Sequence, residues 1–258
     1  MEASSAPHAA QLRDAFRRVN DRIEAAAQRA GRRREDILLV AVTKNAAPDD
    51  IRALVELGQV DLAENRVQQL VQRAALLDEF LHRRMQLSGA APDAHATPSA
   101  VRWHMIGHLQ RNKVKQVIPI VKLIHSVDSL RLAEELQTLG NRLDKTFDVL
   151  MQVNASGEST KYGVSSPAVP YLAEQIDTMV HLRLRGLMTM APYSENPEDA
   201  RPTFIRTREL FEELRQQKIG GPDFNILSMG MTNDFEIAIE QGANLLRIGR
   251  AIFGETEA

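Results

Sequence analysis

Residues 37–42 have the sequence ILLVAV, and Thr43, Lys44 and Asn45 follow directly. The run is apolar throughout and rich in β-branched residues. Such a run predicts a short strand that is buried on both faces, as in a parallel sheet covered by helices. The polar residues that follow it are therefore expected at the carboxyl end of a buried strand.

Similar apolar runs recur along the chain, and helical patterns separate them. The predicted strands are residues 37–42, 60–63, 103–106, 123–127, 147–153, 182–188, 225–229 and 244–248. Strands that alternate with helices form βαβ units and a parallel sheet. Eight such strands are the number that a closed (β/α)₈ barrel, or TIM barrel, needs. An open doubly wound α/β sheet would give a similar alternation and remains the alternative.

Length supports one barrel domain. The chain has 258 residues, close to the roughly 250 of a typical (β/α)₈ barrel. We predict this domain over residues 11–258, with an extra N-terminal helix that ends near Gly31; two small domains are the alternative. Residues 1–10 are expected to form a flexible tail, and residues 86–100, with their Gly and Pro, a flexible surface loop.

Composition excludes several classes of protein. The chain has no cysteine, which excludes disulfides, thiolate zinc sites and cysteine nucleophiles. Its net charge of −2 gives no basic excess for a nucleic-acid partner. No run approaches the ~18 apolar residues of a membrane span, and residues 1–10 lack the apolar segment of a signal peptide. We therefore expect a cytoplasmic protein without membrane or nucleic-acid partners.

Lys44 is the first candidate for chemistry. The active site of a (β/α)₈ barrel lies at the carboxyl ends of its strands, and Lys44 directly follows the first predicted strand. An amine held partly out of water has a lowered pKa, and its neutral form attacks aldehydes. A plain solvated lysine could occupy the same position. Lys161, in the polar loop after the fifth predicted strand, is a rival by position.

The ends of the last two strands form the second candidate site. Residues 227–232 (LSMGMT) and 247–250 (RIGR) bring glycines and hydrogen-bond donors to one rim. Loops at this position often bind phosphate, because glycine lets backbone N–H groups approach an anion. A tight turn without a ligand is the alternative. For His104 and His108 we predict a structural role rather than a metal site, because Gly107 separates them at a strand end.

The motifs of this chain together resemble those of the pyridoxal phosphate homeostasis proteins, which are related to the N-terminal domain of alanine racemases. The matching segments are residues 41–44, 63–68, 103–113, 125–129, 153–154, 156–158, 161–163, 185–188, 227–231 and 247–254. They follow the family's order nearly end to end. Two residues depart from the family pattern: Ala63 replaces a glycine, and Thr232 replaces a serine while keeping the hydroxyl group.

The resemblance implies a fold-type III barrel that binds pyridoxal 5′-phosphate (PLP), with Lys44 as the Schiff-base lysine. Arg247 would face the pyridine nitrogen and, as a group that only donates, would keep this nitrogen unprotonated. Ser228 would bind the phosphate through its hydroxyl, and Gly249 and Arg250 through backbone N–H groups. The other residues that the resemblance assigns to the cofactor site are Asn65, Ile106, Met188, Met231 and Thr232.

The function implied by the resemblance is intracellular PLP homeostasis, in which the protein buffers or supplies PLP without established turnover. A two-base racemase needs a second proton-transfer group opposite the lysine, and the resemblance assigns that role to neither Tyr162 nor Tyr193. Three alternatives stay open: a slow racemase or other PLP enzyme, a module that delivers PLP to PLP-dependent apo-enzymes, and a phosphate-binding barrel without PLP. A monomer is expected, because no residues follow the barrel to form a dimerising second domain.

Overall fold

The computed structural model describes residues 5–87, 98, 100–158 and 162–254. Its strands are β1 (Leu38–Val42), β2 (Asp61–Glu64), β3 (Arg102–Met105), β4 (Val121–Val127), β5 (Phe147–Asn154), β6 (Val164–Ser165), β7 (Leu182–Thr189), β8 (Ile226–Ser228) and β9 (Leu245–Ile248). Hydrogen bonds join the strands in the ring β1-β2-β3-β4-β5-β7-β8-β9, which closes back on β1, and β6 pairs with β5 beside it. The pairings between these strands are all parallel. The closed ring confirms the barrel and excludes the open sheet.

Helices connect the strands and cover the barrel. They are α1 (Ser5–Arg29), α2 (Pro48–Glu56), α3 (Val67–Leu87), α4 (Val114–Val117), α5 (Leu130–Leu143), α6 (Val169–Asp177), α7 (Arg201–Gln216), α8 (Phe235–Glu240) and α9 (Arg250–Phe253). Helix α5 shows why the helices pack on the barrel. The helical spacing of Leu132, Leu136 and Leu139 gives this helix one buried face. No helix in these ranges is long and apolar enough to cross a membrane.

Helix α1 is the extra N-terminal helix, and it packs against α2, α8 and α9. It therefore joins the first and last units of the barrel through buried residues such as Val19 and Ile23. Residues 5–10, which fall within the predicted tail, are helical, and the flexibility of the tail stays a prediction. His8 lies in this part, with its Nε2 2.7 Å from Asp50 Oδ1 in α2, a contact between residues distant in sequence. Residues 1–4 lie outside the described residues.

The predicted loop at residues 86–100 falls mostly outside the described residues. Helix α3 continues to Leu87, so the irregular segment begins at least two residues later than predicted. Residues 88–97 and 99 are among those not described. The flexibility of this segment therefore stays a prediction.

Two apolar layers position the site. One lies between the strands and the helices, and includes Leu39 and Ala41 of β1. The other fills the barrel interior, and includes Val40 and Val42 of the same strand. Alternate residues of a strand point to opposite faces, so the continuous apolar run serves both layers. Ala63, the departure from the family pattern, is fully buried in the interior layer.

Candidate active site at the carboxyl ends of the strands

A cavity of about 470 Å³ opens at the carboxyl ends of the barrel strands. This is the end at which barrels of this kind carry their ligands. Eight of the ten predicted site residues line the cavity: Lys44, Asn65, Ile106, Met231, Thr232, Arg247, Gly249 and Arg250. The closure of the barrel brings these residues together from the ends of β1, β2, β3, β8 and β9.

Lys44 lies in the turn that follows β1, and its side chain is exposed. The sequence predicted an amine held partly out of water, and this expectation is wrong in the structure. The physical reason is its place two residues beyond the end of β1, where the cavity opens to solvent. Lys44 therefore differs from an ordinary surface lysine by its place in the cavity and not by burial.

The turn that carries Lys44 is held by Arg73, which reaches it from helix α3. The Arg73 guanidinium donates to the main-chain oxygens of Thr43, Lys44 and Ala46, and it pairs with the Glu64 carboxylate. Glu64 is fully buried and also accepts a hydrogen bond from the Thr43 hydroxyl. A planar guanidinium with five donors can hold several acceptors in a fixed arrangement. The main chain beneath Lys44 is therefore fixed while its side chain stays in solvent.

Gly107 lets the ends of β2 and β3 approach each other beside the cavity. A Cβ atom at this position would lie 2.0 Å from the main-chain oxygen of Asn65, which no real side chain allows. Asn65 Oδ1 is buried and has no hydrogen-bond partner within the described residues. A buried polar atom without a partner is uncommon in a folded protein. Asn65 thus offers the cavity an unsatisfied polar atom.

Arg247 lines the cavity from inside the barrel, on the strand that pairs with β1. Its guanidinium donates to Ser228 Oγ at 2.6 Å and to the main-chain oxygen of Thr189 at 2.8 Å. Only 3% of the residue is exposed. Burial lowers the pKa of Arg247 to about 10, against the opposing effect of the Asp234 carboxylate. Arg247 therefore stays protonated at neutral pH and acts as a donor.

Ser228 and Met188 are the two predicted site residues that do not line the cavity. Ser228 is fully buried, and its hydroxyl bonds Arg247 and lies 3.1 Å from His125 Nδ1. The structure therefore does not support the expected contact of this hydroxyl with a phosphate. Met188 packs within the barrel interior, and Met190 lines the cavity two residues later. The period of two along a strand places both methionines on one face, at different depths.

The turn after β8 faces the start of α9 at one end of the cavity. Asp234 Oδ1 accepts a hydrogen bond from the Met231 N–H at 2.6 Å, and Thr232 Oγ1 accepts one from the Ala251 N–H at 3.3 Å. Burial raises the pKa of Asp234, although the Met231 N–H and Arg247 oppose this shift. A Cβ atom at Gly249 would lie 2.8 Å from the Val42 carbonyl oxygen. Glycine is therefore needed for the close approach of β9 to β1.

Two exposed tyrosines stand at the cavity mouth. Tyr162 stacks on His108 with ring centroids 4.4 Å apart, and His108 Nδ1 lies 3.2 Å from Asp128 Oδ2. The Arg250 guanidinium lies over the Tyr193 ring, with Arg250 Cζ 6.0 Å from the centroid of that ring. The rival Lys161 lies outside the described residues.

For His104 and His108 the sequence predicted a structural role rather than a metal site, and the described part of the chain gives their surroundings. There, no group of three or more His, Asp or Glu side chains could hold a metal ion. His104 is buried inside the barrel, whereas His108 is exposed at the mouth. The two rings therefore lie in different surroundings, although they are only four residues apart in the sequence.

Sequence reasoning missed Arg73, Asp234 and His125 as parts of the site. Arg73 lies on a helix and reaches the Lys44 turn only through tertiary structure, so no local signal marks it. Asp234 had no clear local signal, because its carboxylate accepts from an N–H three residues earlier, whereas the common Asx turn bonds an N–H two residues later. His125 lies within the family motif at residues 125–129, and a polar residue inside an apolar strand could have marked it.

Comparison with known proteins decides the family. Residues 15–257 match the family model described as the N-terminal domain of alanine racemase. The pyridoxal phosphate homeostasis protein of Aquifex aeolicus is 39% identical over 239 residues, which cover 92% of this chain and 95% of that protein. The chain belongs to the pyridoxal phosphate homeostasis protein family. The resemblance that the sequence motifs indicated is thereby confirmed.

Solved structures agree with this family. An uncharacterised protein from Bifidobacterium adolescentis is 35% identical, with a TM-score of 0.84, and the match covers 96% of each chain. PipY from Synechococcus elongatus, solved with PLP bound, is 30% identical with a TM-score of 0.70; the match covers 85% of this chain and 93% of PipY. A member of the same family therefore binds PLP on a similar barrel.

Proposed function

We propose that this protein binds PLP reversibly in the cavity, as a Schiff base on Lys44, and that it buffers or supplies PLP inside the cell. The observation that carries the proposal is that Lys44, just beyond β1, and Arg247, on the neighbouring strand β9, line one cavity. An amine can capture an aldehyde, and a buried guanidinium offers fixed donors to a ring nitrogen. The relative that was solved with PLP bound supports PLP as the ligand.

The residues present fit PLP. A cavity of about 470 Å³ lies within the range of roughly 300–1,000 Å³ that small-molecule sites occupy. The buried Asn65 Oδ1, which has no partner within the described residues, would be satisfied by a polar group of the ligand. Apolar surface is supplied by Ile106 and Met190. Mostly apolar walls with a few convergent polar groups are typical of cofactor sites.

Three groups of residues in the cavity would each hold one part of the cofactor. Lys44 would hold the aldehyde carbon, and Arg247 the pyridine nitrogen. The backbone N–H groups of Gly249 and Arg250, with the Thr232 hydroxyl, would hold the phosphate, because the first N–H groups of a helix point toward its N-terminal end. Bound PLP supplies an aldehyde for capture by amines and, in enzymes, an electron sink.

A carrier role fits this site better than catalysis. Arg247 donates to whatever faces it, so it would keep the pyridine nitrogen unprotonated and weaken the electron sink. The relatives that the chain matches are named homeostasis proteins. We further propose that the protein acts as a monomer and passes PLP to PLP-dependent apo-enzymes. Such storage would keep a reactive free aldehyde at a low level.

One observation favours a slow racemase or other PLP enzyme as the second candidate. His108 lines the cavity mouth, is bonded to Asp128 and is stacked on Tyr162. A histidine oriented by a carboxylate is a common general base. Sustained racemisation of an amino acid by the pure protein, lost in His108→Gln and in Lys44→Ala, would support this candidate.

The test is a titration of the purified protein with PLP, followed by absorbance and by equilibrium dialysis. We expect the wild type and Lys113→Ala to bind one equivalent and to develop the same absorbance band. Lys113 is a suitable control because it lies in the turn before α4 and is absent from the cavity lining. Lys44→Ala should develop no such band. A wild type that binds no PLP would contradict the proposal, and so would a Lys44→Ala protein with an unchanged band.

A further inference from the structure

A line of buried polar side chains crosses the barrel interior and ends at Arg247. From Arg247, contacts run to Ser228 Oγ (2.6 Å) and from there to His125 Nδ1 (3.1 Å). His125 Nε2 lies 2.9 Å from His104 Nδ1, and His104 Nε2 lies 3.1 Å from Asp61 Oδ1. We name these five residues the buried wire. It joins the start of β2 to the cavity wall at β9.

The strand register places the wire inside the barrel. Ala63 and Val40 belong to the interior apolar layer, and their register partners are His104 and Arg247, respectively. None of the five wire residues is more than 3% exposed. Buried polar groups and charges are costly unless they are hydrogen-bonded. Polar side chains in this layer therefore require an arrangement in which each finds its partner.

The chemistry of the two ends orders the hydrogen atoms along the wire. A carboxylate only accepts, so His104 Nε2–H donates to Asp61, and the Nδ1 of a neutral His104 must accept. His125 Nε2–H then donates to His104, and His125 Nδ1 accepts from the Ser228 hydroxyl. The oxygen of Ser228 finally accepts from Arg247, which can only donate. With both histidines neutral, every contact in the wire has one donor and one acceptor.

The alternative arrangement fits the surroundings less well. If His104 were protonated on both nitrogens, His125 would have to turn its Nδ1–H toward Ser228, which would then accept two hydrogen bonds. Within the described part of the chain the Ser228 O–H would then have no acceptor, and a second cation would share the interior with Arg247. Burial and the charge of Arg247 lower the pKa of His125, which agrees with a neutral ring at this position.

Asp61 is itself anchored at the far end of the wire. Arg102 donates to Asp61 Oδ1 at 2.8 Å and to Asp61 Oδ2 at 2.5 Å, and the Arg102 side chain is 52% exposed. Such a bidentate pair is stronger and better oriented than a single contact. The wire therefore starts at a fixed carboxylate near the surface and ends at a buried guanidinium on the cavity.

We propose that the buried wire fixes the orientation of Arg247, so that the site selects ligands whose ring nitrogen accepts a hydrogen bond. Asp61, His104, His125 and Ser228 are positioning residues in this arrangement, because they act through Arg247. Of the five N–H groups of an arginine, two are used by Ser228 and Thr189 within the described residues. The inference rests on the proposed function, because it names the ring nitrogen of PLP as the acceptor.

The first arm of the test needs no ligand. The ¹⁵N chemical shifts of labelled histidine distinguish the two neutral tautomers from the charged ring. We expect the hydrogen of each ring, His104 and His125, to lie on Nε2 alone in the protein at pH 7.5. A charged His104, or hydrogen on Nδ1 of either ring, would overturn the ordered wire.

The second arm uses Ser228→Ala, which removes one oxygen and breaks the wire beside Arg247. Ser126→Ala is the matched control, because Ser126 is also fully buried and its hydroxyl has no partner within the described residues. We expect Ser228→Ala to weaken binding of PLP and of pyridoxal, which lacks the phosphate, by the same factor of about ten. Ser126→Ala should change neither dissociation constant by more than about twofold.

The outcomes separate the wire from the other assignments. Loss of PLP affinity with unchanged pyridoxal affinity would make Ser228 a phosphate ligand and overturn the proposal, and unchanged affinity for both would overturn it as well. If Ser228→Ala does not fold, Ser228→Thr, which keeps the hydroxyl, must retain wild-type affinity. A wild type that binds neither ligand contradicts the proposed function, and the histidine tautomers then decide the wire alone.

Discussion

The two walls of the cavity are held in different ways. The wall at β1 carries an exposed lysine, and Arg73 fixes it through the main-chain oxygens of its turn. The wall at β9 carries a buried arginine, fixed through its own side chain by the buried wire. The difference teaches how a site can both hold and release a ligand. Under the proposed function, the Lys44 amine would stay accessible to water and to competing amines, while the buried Arg247 would hold the ring in one orientation.

This arrangement separates exchange from recognition. A covalent bond at an exposed lysine can form and break without disturbing the core, because the side chain contributes little to packing. Recognition at Arg247 depends on contacts that extend through the barrel interior, so it cannot adapt without a cost in stability. We expect substitutions in the two walls to separate affinity from stability, and the following changes test this from the largest effect to the smallest.

Arg73→Met is expected to lower the free energy of unfolding by about 3–5 kcal/mol, because it leaves the buried Glu64 carboxylate without its cation. Urea denaturation measures this change. Arg52→Met is the control, since Arg52 pairs with Asp49, whose side chain is 89% exposed, and such pairs contribute at most about 1 kcal/mol. The double change Arg73→Met and Glu64→Gln should recover part of the loss. Equal effects of Arg73→Met and Arg52→Met would contradict the role of Arg73.

His125 is expected to make stability depend on pH. Burial, then the charge of Arg247, lowers its pKa well below the ordinary 6.5, so the unfolded chain binds a proton at this residue that the folded protein does not. The contribution of His125 is complete above pH 6.5 and is lost as the pH falls toward the folded pKa. The slope is up to about 1.4 kcal/mol per pH unit.

The measurement is urea denaturation between pH 7.5 and pH 5. His125→Phe should remove this part of the slope, and His82→Phe, at a position exposed on α3, should keep it. Asp61 does not interfere. Burial raises its pKa, but hydrogen bonds from His104 and Arg102 outweigh this and lower it below 3.8, so its contribution is lost only at more acid pH. An unchanged slope in His125→Phe would show that His125 is not held neutral.

Lys44→Ala is expected to change the free energy of unfolding by no more than about 0.5 kcal/mol, because surface substitutions outside special contacts have effects of this size. The same variant should lose the PLP band. Denaturation and absorbance on one preparation give both results. A loss of stability above about 1.5 kcal/mol would show that the lysine side chain is part of the packing, and the contrast between the walls would then fail.

The barrel could be predicted from sequence because its signals are local and repeated. Runs such as residues 37–42 are apolar on both faces, and each is followed by a helical pattern. The two-residue strand β6 (Val164–Ser165) was missed because so short a pairing leaves no periodicity. The start of α1 was placed too late, because residues 5–10 gave no apolar pattern to mark the first turns.

The site was predicted mainly through the family motifs, and the structure shows their limit. Lys44 and Arg247 lie where the strand-end rule and the resemblance placed them. Ser228 belongs to the same motif as Met231 and Thr232, but depth along the barrel axis separates it from the cavity. Depth depends on strand register, which one sequence does not specify. Arg73 could not be found at all, because its role depends on how α3 packs beside the turn after β1.

The measurement that tests the central claim most directly is borohydride reduction of the PLP-loaded protein, followed by peptide mapping. Reduction makes the Schiff base permanent and so marks the amine that holds the cofactor. The account predicts one reduced adduct per chain, on Lys44, and prevention of that adduct when a competing amine is present before reduction. An adduct on Lys161 or another lysine, or no adduct on a protein that has bound PLP, would contradict it.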